Sequence, residues 1–333
     1  MEIKALAASI ANHSRLLDAW AFLRSRITKS QVAILMYHRV CPKKDNWPPE
    51  SLSTQSFERQ MEYFCRSYEI LPLDKLVQYI QQRKALPEKA VVITFDDGYR
   101  DNYLHAYPIL KRYKIPATIF LTTGYIEADK LFWWDKLGYI IHHTTVSQLN
   151  LDELGNYSLQ SELDRFQTSS IVTKRLRKVP EETKNLLIDK LAGICHVEIP
   201  PDLARELTLS WDEIKEMNNN GVSFGARSVT HPILPNIPLE QARYEIIQSK
   251  RAIEERLGKE VTAFSYPNGD FNDRIDRVVR ESGYACAVTT TPNLLASRAD
   301  PYQLSRIGVG EDFNKFKAVF SGLYGDLKAI LRL

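Results

Sequence analysis

A buried strand that ends in two carboxylates is the feature that most constrains this chain. Residues 90–95 read Ala-Val-Val-Ile-Thr-Phe, and Asp96, Asp97 and Gly98 follow directly. The apolar, β-branched run predicts a strand, and the glycine permits a sharp turn after it. Two acids at the end of a buried strand cost desolvation free energy, which a metal or a reaction can offset. A helix N-cap at Asp97 is the simpler interpretation, but it uses only one of the two carboxylates.

The composition is that of an ordinary soluble globular protein. The chain has 333 residues, 44% hydrophobic and 26% charged, which is enough for one large or two modest domains. A net charge of +3 is too small to indicate a nucleic-acid partner. The cysteines are far apart and form no C-x-x-C pair, so a reducing compartment is the default. They are Cys41, Cys65, Cys195 and Cys286.

The first thirty residues predict an amphipathic helix, followed by one domain over 31–333. Residues 1–29 carry five Lys/Arg against two Asp/Glu, interleaved with leucines and isoleucines, and lack the apolar core of a cleaved signal. Such a helix either packs on the domain or lies on a membrane surface. No stretch is long and apolar enough to span a bilayer. We therefore expect a cytoplasmic protein with peripheral membrane contact as an option.

Strands and helices alternate along the chain, which predicts an α/β fold with a parallel sheet. Residues 125–207 are mostly polar and helical, and we interpret them as a helix-rich insertion within the one domain. Strands are predicted at 32–37, 91–95, 117–121, 222–225, 261–265, 284–289 and 304–309. Helices are predicted at 57–66, 74–82, 239–257 and 275–282, and a capping box at 210–213 opens another.

The segment Thr94-Phe95-Asp96-Asp97-Gly98 resembles the first motif of the polysaccharide deacetylases, the NodB-homology group of carbohydrate esterase family four. The resemblance implies a distorted (β/α) barrel of the NodB type, with its site where the strand carboxyl ends gather. It implies hydrolysis of N- or O-acetyl groups on a sugar. In that family the first Asp is the general base and the second binds a divalent metal. Carried over, Asp96 is the base and Asp97 a metal ligand.

The second motif of that family, His-[Ser/Thr]-x-x-His, is matched by residues 227–231, Arg-Ser-Val-Thr-His. The resemblance makes His231 a metal ligand, but Arg227 replaces the first histidine. Arginine has no acceptor lone pair and stays protonated, so it cannot bind a metal. Three outcomes remain open. Asp96 or a nearby histidine completes a weaker site, Arg227 acts as a fixed cation in place of the metal, or the site is catalytically dead.

A general acid must protonate the leaving group, and many family members take it from a late Leu-x-His motif. The matching segment here, Leu304-Ser305-Arg306-Ile307, has no histidine. Tyr37-His38 resembles the Met-Tyr-His element of the subgroup that includes poly-N-acetylglucosamine deacetylases, in which the early histidine is the acid. The resemblance therefore assigns this role to His38; a histidine hydrogen-bonded at a strand end is the alternative.

Two further segments are candidates for binding the sugar. Residues 264–270 resemble the third motif of the family, which lines the groove, so Tyr266, Pro267 and Asn268 are expected in its wall. An ordinary Pro-Asn-Gly turn explains the same residues. Trp134, in the run Phe-Trp-Trp-Asp, is expected to stack on a pyranose ring, unless it packs the insertion.

The sequence thus predicts a metal-dependent deacetylase that acts on an N-acetylated glycan or a lipid-linked sugar. Zn²⁺ suits the Asp and His ligands, as do cobalt, nickel and manganese. Because of Arg227, the alternative is a catalytically impaired protein that keeps the fold and binds carbohydrate. A weaker third option is an amide hydrolase with a small non-sugar substrate.

Overall fold

The structure, a computed structural model, describes residues 32–42, 51–151, 154–295 and 297–313. Its strands are β1 Val32–Tyr37, β2 Val40–Cys41, β3 Leu52–Ser53, β4 Glu69–Ile70, β5 Ala90–Phe95, β6 Ala117–Leu121, β7 Gln148–Leu151, β8 Gly155–Ser158, β9 Val222–Ala226, β10 Ala263–Ser265, β11 Cys286–Val288 and β12 Ile307–Gly308. Its helices are α1 Thr54–Ser67, α2 Leu73–Gln81, α3 Tyr107–Tyr113, α4 Trp133–His143, α5 Glu162–Leu176, α6 Glu181–Ile194, α7 Leu203–Leu207, α8 Trp211–Asn219, α9 Leu239–Leu257 and α10 Asp273–Glu281.

One curled parallel sheet organises the molecule. Seven strands pair in the order β11-β10-β9-β6-β5-β1-β12, and β4 pairs with β5. Leu304, just before β12, forms a bridge with Val288 of β11, which brings the two edges of the sheet together. The predicted distorted (β/α) barrel is confirmed. Because every pairing in this sheet is parallel, the carboxyl ends of its strands meet at one end of the barrel.

The two faces of each central strand pack into different cores. In β1, Val32 and Ile34 join an inner cluster that also holds Val92 of β5, and α2 packs against this cluster. Ala33 and Leu35 point the other way, toward the helices outside the sheet. Both faces are buried, which explains why these strands are apolar throughout. The side-chain period of two continues past Val92, so Asp96 follows the inward-facing row.

Several predicted elements are confirmed closely, and the late strands are shorter than predicted. Helix α9 has the predicted bounds and ends at Gly258, whose φ is +63°. The capping box that opens α8 is present, with Ser210 and Glu213 bonding each other's backbone. The strand predicted at 284–289 is observed only as β11, Cys286–Val288. The predicted N-terminal helix lies outside the described residues. Within the part of the chain that the structure describes, no helix is long and apolar enough to cross a membrane.

The insertion contains a β-hairpin as well as the predicted helices. Strands β7 and β8 pair in antiparallel register, with Leu149 opposite Tyr157. Leu149 and Leu151 are buried and join helices α4, α5 and α6 in a core separate from those of the barrel. The hairpin was missed because its strands are short and one of them, Gly-Asn-Tyr-Ser, is largely polar.

Buried charges connect the insertion to the barrel. Arg39 Nε donates to Asp101 Oδ2 at 2.7 Å, and its Nη1 donates to Asp135 Oδ1 at 3.4 Å. Asp135 Oδ2 accepts a hydrogen bond of 2.9 Å from the hydroxyl of Tyr99. The guanidinium carbon of Arg39 lies 4.5 Å from the centre of the Tyr99 ring. Asp135 belongs to α4, so these contacts fix the start of the insertion beside the turn after β5.

Among the carboxyl groups that contact Arg39, Asp135 is the one whose charged form is stabilised least. Burial raises the pKa of Asp135 to about 6, and the attraction of Arg39 offsets burial only in part. Arg39 makes its shorter contact to Asp101 rather than to Asp135. Asp135 therefore binds a proton more readily in the folded chain than in the unfolded chain.

We expect Asp135→Asn to change how stability depends on pH. A raised carboxyl pKa contributes stability that is complete below the unfolded pKa near 4 and is lost as pH rises through about 6. The variant lacks this titration, so its free energy of unfolding relative to wild type should rise by about 2–3 kcal/mol from about pH 4 to about pH 7. Urea unfolding at several pH values measures the difference. A difference that does not vary with pH would contradict the assignment.

Candidate active site

Asp96 lies at the carboxyl end of β5, inside the top of the barrel. Its side chain is fully buried, and its backbone N–H donates to Tyr37 O of the neighbouring strand at 3.0 Å. Thr94, two residues earlier on the same face, donates its hydroxyl to Leu35 O at 2.5 Å. The inward row of β5 thus changes from apolar to polar as it reaches the strand end.

Two arginines hold the Asp96 carboxylate. Arg306 binds it with two parallel hydrogen bonds, from Nη1 to Oδ1 and from Nη2 to Oδ2, both 2.7 Å. Arg227 Nη1 also lies 2.7 Å from Oδ2. Burial alone would raise the pKa of Asp96, but the two guanidinium groups outweigh it and hold that pKa well below its usual range. At neutral pH the Asp96 carboxylate has little affinity for a proton.

Asp97 turns away from the strand to meet the same arginine. It has a φ of +74°, and its Oδ1 accepts a hydrogen bond of 2.8 Å from Arg227 Nε. Gly98 follows with a φ of +82°. The alternative in which Asp97 caps the next helix is wrong, because that helical segment begins with Asp101 in the N-cap position. The Asp97 carboxylate is used inside the site.

His231 faces the same oxygen of Asp97 and carries no charge at neutral pH. Its Nε2 lies 3.6 Å from Asp97 Oδ1, and its side chain is only 5% exposed. Burial and the nearby charge of Arg227 lower the pKa of His231 to about 4. The imidazole is therefore neutral near pH 7, and the structure brings the two predicted metal ligands together.

His38 is the most accessible of the predicted site residues in this group. It follows β1, its side chain is 39% exposed, and its Nε2 lies 3.9 Å from Asp96 Oδ2. Asn102 Nδ2 donates to the His38 carbonyl at 2.8 Å, which fixes the backbone at this position. The structure thus places the predicted acid and the predicted base side by side, with the histidine open to solvent.

Residues 264–270, which were expected to line the groove, contribute to the site in another way. The Tyr266 ring is fully buried, stacks on Phe271 and donates its hydroxyl to Tyr302 O at 3.2 Å. The Tyr266 side chain thus packs into the core and does not line a groove. Only the Tyr266 carbonyl reaches the site, where its oxygen accepts a hydrogen bond of 3.2 Å from Arg227 Nη1. Pro267 is buried as well. Asn268 is partly exposed in a turn with a φ of +56°.

The two tryptophans of the insertion have separate roles. Trp134 is partly exposed, donates Nε1 to the Tyr99 hydroxyl at 2.7 Å, and lies edge-on to His231 with ring centres 4.9 Å apart. Trp133 instead packs against the insertion core, with Lys184 Nζ 4.7 Å from its ring centre. Trp134 thus belongs to the wall of the site, in contact with a predicted ligand.

The residues present do not fit a divalent metal. The Asp97 oxygen that faces His231 already accepts a hydrogen bond from a buried cation, Arg227, which is 2% exposed. A protein zinc site takes three or four donors, and an added cation here would meet a fixed positive charge. Among the described residues, no group of three or more His, Cys, Asp or Glu side chains is arranged to hold a metal ion.

Sequence analysis missed two residues that complete this arrangement. Arg306, which is fully buried, lies directly before β12 and crosses the barrel interior to Asp96. Ser265, at the end of β10, accepts hydrogen bonds from both Arg227 and Arg306. Residues 304–307 lack the histidine of the family's late motif, so the motif assigns no role to Arg306. An arginine inside a predicted buried strand that also holds Leu304 and Ile307 was the available signal, because such a charge needs a partner.

Two named proteins share part of this sequence. YxkH of Bacillus subtilis (strain 168), named a putative polysaccharide deacetylase, is 24% identical over 84% of this chain and 72% of its own. A Staphylococcus aureus (strain MSSA476) protein named poly-beta-1,6-N-acetyl-D-glucosamine N-deacetylase is 40% identical, over only 26% of this chain and 30% of its own length.

Solved structures agree on the architecture. The Streptococcus pyogenes deacetylase PplD, in complex with acetate, superposes with a TM-score of 0.61 at 20% identity, covering 88% of this chain and 99% of that one. IcaB from Ammonifex degensii superposes with a TM-score of 0.60 at 19% identity, covering 88% of this chain and 97% of that one.

The sequence profile of the polysaccharide deacetylase family matches residues 83–287, which include Asp96, Asp97, Arg227 and His231. This chain therefore belongs to the polysaccharide deacetylase family.

Proposed function

We propose that this chain binds an N-acetylated glucosamine polysaccharide at the strand-end site and does not hydrolyse it. The family and the name of the S. aureus relative support the substrate class. One observation carries the second half of the proposal: the Arg227 guanidinium joins Asp96 to Asp97 inside the barrel. This is the interpretation in which the fold is retained and the hydrolytic centre is impaired.

The chemistry of amide hydrolysis explains why Arg227 is decisive. The reaction needs an activated water, a base for its proton and a positive group at the developing oxyanion. Asp96 is bonded to two guanidinium groups and its pKa is depressed, so it is a weak base. Arg227 directs its nitrogens to Asp96, Asp97, Ser265 and the Tyr266 carbonyl, and it is almost fully buried. The positive charge of Arg227 is therefore paired with these partners and does not face an acetyl group.

The accessible part of the site suits recognition of a sugar. The side chain of His38 is 39% exposed, and the Trp134 ring is partly exposed while it stacks on Phe132. Flat aromatic rings and a few polar groups are the usual lining of a carbohydrate site. Asn268 adds a partly exposed amide on the third predicted segment. We infer that these three side chains contact the glycan, whether it is a free polymer or is linked to a lipid.

A metal-dependent deacetylase is the second candidate. The convergence of four predicted residues favours it: Asp96 lies beside His38, and Asp97 beside His231. In this candidate Asp96 is the base, His38 the acid, and Asp97 with His231 bind Zn²⁺ or a similar ion. It requires Arg227 to withdraw from both carboxylates, because the present arrangement has no room for a cation there.

We expect binding of N-acetylglucosamine oligomers without acetate release. Calorimetric titration with β-1,6-linked oligomers should show binding, and Trp134→Ala should weaken it by about tenfold, since loss of an aromatic contact costs about 1 kcal/mol or more. Tyr244→Ala, at an aromatic residue of α9 that is 58% exposed, is the matched control and should bind like wild type. Acetate release that a chelator abolishes would instead establish the metal-dependent deacetylase.

We expect Arg227→His to create a metal site that the natural chain lacks. The variant places a third donor beside Asp97 and His231 and removes the buried cation. Co²⁺ should then bind near one equivalent with the visible absorption of a tetrahedral or five-coordinate ion. Arg227→Lys, which keeps the charge, and the double variant Arg227→His with His231→Ala should not bind it. Stoichiometric Co²⁺ on the natural chain would show that our assignment of Arg227 is wrong.

A further inference from the structure

The turn that carries His231 has an unfavourable backbone. Ser228 and His231 have φ values of +62° and +61°, in the left-handed region that favours glycine. Each such residue costs about 1 kcal/mol or more unless its surroundings enforce the conformation. The Ser228 hydroxyl accepts from the His231 N–H at 3.0 Å, which closes the turn internally. Something outside the turn must hold it against relaxation.

Glu245, in the middle of α9, provides that support. Its Oε2 accepts hydrogen bonds from the backbone N–H groups of Val229 and Thr230, at 2.7 and 2.8 Å. Its Oε1 accepts from the Thr230 hydroxyl at 2.6 Å. Glu245 is only 3% exposed, although acidic side chains are rarely buried without a strong reason. All three of these donors are neutral and belong to this turn.

The opposite side of the turn rests on the segment after β6. The N–H groups of Thr123 and Gly124 donate to Ser228 O at 3.2 Å and Val229 O at 2.8 Å. A Cβ on Gly124 would lie 2.6 Å from Val229 O, so only glycine permits this approach. The turn is therefore held between the carboxylate of α9 and these backbone donors.

We propose that Glu245 is a positioning residue of the site. Glu245 acts through the Ser228–His231 turn, which begins directly after Arg227 and ends at His231. By holding this turn, it fixes the position of His231 relative to Asp97 and Arg227. Hydrogen bonding to backbone N–H groups, rather than its charge alone, is what the role requires. The role does not depend on hydrolysis, since the same turn presents His231 with or without a metal.

The first test is chemical modification of His231 in the natural chain. Diethyl pyrocarbonate labels exposed neutral imidazoles, and mass spectrometry can compare His231 with the more exposed His38 as an internal reference. Glu245→Ala should raise the relative rate at His231 by about tenfold or more, because three hydrogen bonds that close the turn are lost. Glu245→Gln should stay within about twofold of wild type, since its amide oxygen can accept both N–H groups and its NH₂ can donate to the Thr230 hydroxyl.

Two further variants keep this test decisive. Glu240→Gln, at an exposed acid in the first turn of α9, should change nothing. Thr230→Val removes only one of the three hydrogen bonds and should raise the rate by about threefold, which tests the role even if Glu245→Ala fails to fold. Unchanged labelling in Glu245→Ala or, where that variant does not fold, in Thr230→Val would overturn the proposal. Equal increases in the Ala and Gln variants would also overturn it.

A second readout uses the metal site expected in Arg227→His. In that background Glu245→Ala should weaken Co²⁺ affinity by about 10–100-fold, as loss of outer-shell support does, while Glu245→Gln should have little effect. If Arg227→His binds no Co²⁺, the proposed function is wrong in that respect, but the labelling test of Glu245 still stands on its own.

Discussion

Two guanidinium groups that share one buried carboxylate hold the centre of this molecule together. Asp96 follows β5, Arg227 follows β9 and Arg306 precedes β12, so their contacts join three parts of the barrel. With Asp97 included, two negative charges meet two positive charges, and all four side chains are almost completely buried. Burying such ions is expensive, and removing one partner typically costs about 3–5 kcal/mol because the others are left uncompensated. None of the four can change alone without affecting the rest.

The same contacts decide what the strand ends can do chemically. A reactive carboxylate needs some affinity for a proton, and a metal ligand needs a free lone pair directed at the ion. Arg306 and Arg227 take the first property from Asp96, and Arg227 places its own positive charge on the Asp97 oxygen that faces His231. His231 and His38 remain in place around this core. The ion pairs therefore involve the two carboxylates predicted to take part in hydrolysis, while the side chain of His38 stays partly exposed.

Periodicity and strand-end logic predicted the fold and the place of the site. The apolar runs in β1, β5 and β6 are long enough to fix their bounds, and the inward row through Val92 leads directly to Asp96. The short polar hairpin and the true ends of β11 and β12 could not be predicted, because tertiary packing rather than local pattern defines them. The sequence identified Arg227 as a departure, but not the contacts that surround it. Arg306 binds the same carboxylate of Asp96, and Ser265 accepts from both arginines. The closure of the sheet brings these residues together, and no local window of sequence contains them all.

Buried charges are paired differently inside the barrel and at its contact with the insertion. Both keep charged groups out of water, yet the barrel pairs them two against two, while Arg39 in the insertion contact serves two carboxylates unequally. Burial, which Arg39 offsets only in part, raises the pKa of Asp135 to about 6, so the proton occupancy of Asp135 changes under mildly acidic conditions. Helix α4 carries both Asp135 and Trp134, so the start of the insertion and the wall of the site share one support.

A cation supplied by the chain itself behaves differently from one taken up from solution. A bound metal stabilises a fold by mass action, in proportion to the logarithm of its free concentration, and the protein loses that stabilisation when the metal is scarce. Arg227 is covalently part of β9's continuation, so its effective concentration at Asp97 is set by chain geometry alone. Under the proposed function, the stability of this centre does not vary with the metal supply of its surroundings.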